Sequence, residues 1–81
     1  MKYTEFATQN RISIVIPAYN EELNLPVLMK EIDAMLQKSQ IGTEIILVND
    51  ASTDSTLETM MLLQHSYRMH NVKVISLNKN C

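Results

Sequence analysis

The sequence predicts an α/β fold with a parallel sheet, laid out as strand, helix, strand, helix, strand. Three short apolar runs, residues 12–16, 44–48 and 72–77, are rich in β-branched residues. Between them lie two stretches whose apolar residues recur at helical spacing. Strands that are apolar at consecutive positions and alternate with helices are expected to form a parallel sheet with right-handed crossovers, covered on both faces.

The first strand reads Ile12, Ser13, Ile14, Val15, Ile16 and stops at Pro17, which has no N–H for a sheet ladder. The first helix carries the clearest periodicity, with Leu25, Leu28, Met29, Ile32, Met35 and Leu36 painting one stripe. Asn24 suits its N-cap, and Pro26 suits a first turn whose amides lack partners anyway. That helix is expected to end near residues 38–40, before the single glycine, Gly42. The second strand, residues 44–48, runs out at Asn49 and Asp50. Ser55 with Glu58 three places on matches a capping box, and Asp54 is an equally good cap, so a second helix begins there. Leu57, Met60, Met61, Leu63 and Tyr67 supply its inner face, and Val72, Val74, Ile75 and Leu77 form the third strand. The six methionines read as flexible core filler.

Eighty-one residues allow one small domain. A chain of that size buries only about 60% of the surface it exposes when unfolded. Hydrophobic residues at 46% and charged residues at 20% are globular proportions. Seven basic and nine acidic residues, net charge -2, never form a block, so no nucleic-acid partner is expected. Cys81 stands alone and forms no internal disulfide. His65 and His70 are too far round a helix to share a face, and read as solvated surface residues with no metal site. Residues 1–11 are mixed polar and lack the apolar segment of a signal peptide. No run approaches the ~20 residues of a membrane span. The expectation is an N-terminal extension over residues 1–11, a domain over residues 12–81, and a cytoplasmic location.

In open parallel sheets, ligands gather outside the carboxyl ends of the strands. Two polar loops leave strands there, residues 17–24 and 49–54, and are expected to be facing walls of one pocket. A dinucleotide fingerprint or a P-loop needs several glycines for close phosphate approach, and one misplaced glycine excludes both. The loops offer instead the Tyr19 ring, carboxylates at Glu21, Glu22, Asp50 and Asp54, and hydroxyls at Ser52 and Thr53. A ring can stack on a base, and a carboxylate can accept from an imide or from ribose. The same residues also fit a plainer role, with the acids complementing a helix N-terminus and Tyr19 packing.

Residues 13–22 with Leu25 and Pro26, followed by residues 44–56, resemble the start of the family-two glycosyltransferases, most like the dolichyl- or polyprenyl-phosphate sugar transferases. The likeness covers about residues 11–80, and two ordered motifs at the right separation make it specific. It implies a three-layer, Rossmann-like GT-A fold, of which this βαβαβ half, truncated at Cys81, has strand order 3-2-1. It implies an inverting hexosyltransferase that takes a UDP- or GDP-sugar donor, with an acceptor such as a polyprenyl phosphate. Pro17, Tyr19 and Glu21 would line base and ribose, Asp50 would accept from the base, and Ser52 completes the donor site. Asn49 stands where the family has the first acid of a pair, and Ala51 where glycine is common.

No Asp-x-Asp occurs in the chain, so the Mg or Mn ion of the family is expected only in a full-length enzyme, and catalytic residues are expected beyond Cys81. The chain alone is then expected to be inactive, cytoplasmic, and membrane-peripheral in its full-length form. Loss of the next strand would leave residues 12–16 as an open edge inviting self-association. The alternatives are a non-catalytic remnant and a small α/β protein-interaction module.

Overall fold

The computed structural model describes residues 3–8, 11–38 and 42–77. In order they form β1 (Thr4–Thr8), β2 (Arg11–Ala18), α1 (Asn24–Leu36), β3 (Gly42–Asp50), α2 (Thr56–Ser66), a 3-10 turn (Arg68–His70) and β4 (Val72–Leu77). One sheet has the order β1-β2-β3-β4. The strands β2, β3 and β4 are parallel neighbours, so the expected three-strand order is present, and β1 adds to it in antiparallel sense.

The parallel register sets Ile14 beside Ile45, Ile16 beside Leu47, and Leu47 beside Val74. Alternate residues of a strand share a face, so these positions point together. Helix α1 lays Leu25, Met29, Ile32 and Leu36 on that face, and α2 adds Met60 and Leu63, closing a single core. Each such side chain contributes about 1.5–3 kcal/mol relative to exposure.

Both helices cover the same face, so the described residues make two of the three layers of the implied fold. The strands were expected to be covered on both faces, and on the far face they are not. Val15, Ile46 and Val48 are half-buried there, and Ile75 and Leu77 each expose 47%. Towards the N-terminal ends of the strands the bare face turns polar, with a cavity of about 260 Å³ lined by Arg11, Ser13, Glu44 and Lys73 among others. The Lys73 ammonium pairs with Glu44 at 2.6 Å, and the Ser13 hydroxyl donates to the same carboxylate at 3.3 Å.

The N-terminal stretch differs most from expectation. Thr4–Thr8, read as part of an extension, pairs with β2 from Thr4 opposite Val15 to Thr8 opposite Arg11. The edge of residues 12–16, expected to be open, is therefore occupied, and self-association through it loses its basis. Only two residues separate Thr8 from Arg11, a hairpin spacing that mixed polarity disguised.

Smaller differences have local causes. Asn24 is the first residue of α1 rather than its cap, and its amide donates to Glu21 Oε2 at 2.7 Å. Ser55 occupies the cap position of α2 without a side-chain bond, and Asp54 Oδ1 accepts the Thr56 N–H at 2.9 Å instead. Of the methionines, Met29 and Met60 are core, whereas Met35, Met61 and Met69 are exposed. His65 is exposed as expected, but His70 is buried, because the 3-10 turn rotates it onto Asp33 of α1. Among the described residues no helix is long and apolar enough to cross a membrane.

Candidate functional site

The parallel pairing of β2 and β3 ends with Ala18 opposite Asn49. Both following loops therefore leave the same edge of the sheet. Each carries a left-handed residue within two positions of its strand, Asn20 at φ 51° and Ala51 at φ 58°. Asparagine enters that region readily, whereas an alanine Cβ crowds the following carbonyl.

The loops are bonded directly to each other. Asn20 Oδ1 accepts the backbone N–H of Thr53 at 2.8 Å, that of Asp54 at 3.3 Å and the Thr53 hydroxyl at 3.4 Å. The Asn20 N–H donates to Ser52 Oγ at 3.0 Å, and the Glu21 N–H to Thr56 Oγ1 at 2.9 Å. Thr56, fully buried at the start of α2, donates a hydrogen bond from its hydroxyl to Asp54 Oδ1. That bond, chiefly, holds the Asp54 carboxyl below its usual range, against desolvation and with backbone N–H groups assisting. The Glu21 carbonyl accepts the Asn24 and Leu25 amides at 3.1 and 2.9 Å, starting α1.

Asn49 is 4% exposed and bonded on both sides. Its Oδ1 accepts the Ser52 N–H at 3.2 Å, and its Nδ2 donates to Ser76 Oγ on β4 at 3.1 Å. A carboxylate here could accept the first bond but could not donate the second. The asparagine thus ties β3, the turn after it and β4 together.

The five residues singled out from the sequence share this rim in unequal ways. Pro17 is exposed near the end of β2, and the Tyr19 ring stands 56% exposed just past it. Glu21, Asp50 and Ser52 are half-buried. A groove of about 470 Å³ opens beside them, lined by Asn49, Ser52, Thr53, Leu57, Ser76 and Leu77 among others. Of the five, only Ser52 lines it. The two loops were expected to face each other across a pocket; they are joined, and the groove lies on the far side of the second loop, towards β4. Asn20 and Thr56 were not singled out, and Asn49 was read only as a departure from the family's acid pair, although the three build the junction. A short amide between Tyr19 and Glu21, where strand turns into helix, was the one available signal for Asn20.

Among the described residues no three of His, Cys, Asp or Glu come together to hold a metal ion.

Residues 13–80 match the family described as Glycosyl transferase family 2. The chain is 39% identical to the human dolichyl-phosphate beta-glucosyltransferase, over 86% of its own length and 23% of that protein. It is 42% identical to an uncharacterized glycosyltransferase of Synechocystis, over 85% of its length and 21% of the relative. An undecaprenyl-phosphate 4-deoxy-4-formamido-L-arabinose transferase of Salmonella dublin is 34% identical, over 86% and 21% respectively. No solved structure matches significantly. The chain spans less than a quarter of the length of these relatives, at 21–23%. Members of the family generally take nucleotide-sugar donors and divalent cations. The match takes in both rim loops, both helices and the parallel strands from Ser13 onward, and the chain belongs to glycosyltransferase family 2.

Proposed function

We propose that this chain holds the nucleoside end of a UDP- or GDP-sugar within a longer inverting hexosyltransferase that passes the sugar to a polyprenyl phosphate. The observation that carries the reading is the common rim: Tyr19 and Asp50 follow Ala18 and Asn49, which are partners in the parallel ladder. The exposed Tyr19 ring stacks on the base, above Pro17. Asp50 accepts from the imide N–H, which uracil and guanine share. Glu21 takes a ribose hydroxyl on the carboxylate oxygen that Asn24 leaves open. Ser52 accepts from the Asn20 N–H and donates a hydrogen bond from its hydroxyl to the sugar nucleotide.

The polyprenyl phosphate acceptor is supported by the names of relatives, which refer to dolichyl phosphate and undecaprenyl phosphate. Such an enzyme works in the cytoplasm at the membrane periphery, where a water-soluble donor meets a lipid acceptor. Its divalent cation, Mg or Mn, is held by residues outside those described. Residues 12–81 act as the donor-binding unit, with β1 closing its edge.

The test is calorimetric titration of the 81-residue chain with UDP and with GDP. One of them should bind saturably, and Tyr19→Ala and Asp50→Ala should each weaken it at least about tenfold, or ~1.4 kcal/mol. Binding indifferent to both substitutions, or no binding at all, would overturn the reading.

A further inference from the structure

Resting on that donor-site reading, we propose that Asn20 is the positioning residue of the rim, the joint through which its two turns are held as one unit. One side-chain oxygen takes three donors from the opposite turn, the Thr53 and Asp54 amides and the Thr53 hydroxyl, at 2.8, 3.3 and 3.4 Å. The Asn20 N–H returns a bond to Ser52 Oγ at 3.0 Å. Two properties of asparagine are needed together. Its backbone sits at φ 51°, which this residue tolerates, and its short amide puts an acceptor with two lone pairs at fixed reach. Glycine supplies the first property alone, and aspartate supplies both.

Tyr19 precedes Asn20 in the chain, and Ser52 and Thr53 line the groove. Ring and groove wall therefore share one anchor. Without it, the amides of Thr53 and Asp54 turn to water and their loop samples many conformations. A ligand must then supply the ordering entropy itself and binds more weakly. A second tie, from the Glu21 N–H to Thr56 Oγ1 at 2.9 Å, does not involve the Asn20 side chain. It reports independently on whether the turns move together.

The experiment combines amide hydrogen exchange with UDP and GDP titrations on the wild-type chain, Asn20→Gly and Asn20→Asp, in about 0.3 M NaCl to screen the added charge. In Asn20→Gly the amides of Thr53, Asp54 and Glu21 should exchange about tenfold faster, and the preferred diphosphate should bind about tenfold more weakly. Asn20→Asp should restore slow exchange and bring binding back to within about threefold of wild type. If Glu21 stays protected in Asn20→Gly, the Thr56 tie holds the turns together without the Asn20 side chain and the proposal fails. It fails equally if Asn20→Asp behaves no better than Asn20→Gly. Should neither diphosphate bind the wild-type chain, the donor-site reading falls on its own, and the exchange data still decide whether Asn20 couples the turns.

Discussion

The half-buried carboxylate of Asp33 on α1 lies 2.6 Å from Nε2 of His70 in the turn ahead of β4. The contact joins elements 37 residues apart and brings Tyr67 into a stack with the imidazole, ring centroids 6.5 Å apart.

This pair makes the fold sensitive to acid. The His70 hydrogen bond, chiefly, holds the Asp33 carboxyl below its ordinary value of 3.8, with Gln37 assisting and desolvation opposing. Glu44, held down by Lys73, and Asp54, held down by Thr56, behave alike. A depressed native pKa means that the unfolded chain binds more protons, so the contribution is complete above the unfolded value and is lost as pH falls through the native one. Thermal unfolding should therefore shift to lower temperature as pH drops below about 4.5, the ordinary value of Glu44. Asp33→Asn should lower Tm at pH 7 and flatten the acid dependence. An unchanged slope in that variant would show that the pair carries none of it.

The left-handed Ala51 offers a stabilising substitution. At φ 58° its Cβ is crowded, a cost of about 1–2 kcal/mol that glycine, having no Cβ, escapes, with its larger unfolded-state freedom offsetting part of the gain. Ala51→Gly should raise stability by about 0.5–1 kcal/mol, a Tm gain of a few degrees for a domain of this size. Urea denaturation at pH 7 measures it directly, and a loss of stability would show that the turn relaxes around alanine.

Edge protection by β1 can be removed. Deleting residues 1–8 should uncover the full ladder of β2 and produce dimers or larger species in sedimentation velocity, whereas the intact chain should run as a monomer. A deletion variant that stays monomeric and folded would mean that β1 contributes nothing to keeping chains apart.

Much of this architecture was legible from spacing alone. The α1 stripe gave a buried set in which Leu25, Met29, Ile32 and Leu36 are core, and the third strand begins and ends where the apolar residues do. The strand carboxyl ends located the rim because parallel pairing leaves little choice. What spacing could not convey was which face of the sheet is covered, since Ile46 and Val48 are as apolar as Ile45 and Leu47. β1 was hidden because an edge strand is specified by its partner as much as by its own residues. Contacts such as Asn20 with Thr53, or Asp33 with His70, link residues more than 30 apart in the chain and depend on angles between turns that no local pattern encodes.

One-sided coverage of the sheet makes the tolerance of β3 to variation alternate along its length. Trimming Ile45 or Leu47 opens a cavity under both helices, at about 2–5 kcal/mol for truncation to alanine. Ile46 and Val48, already half in water, can exchange for threonine at far smaller cost. In a run of consecutive aliphatic residues, every second one can vary in this chain and its neighbours cannot, a distinction that a hydropathy profile of the same segment averages away.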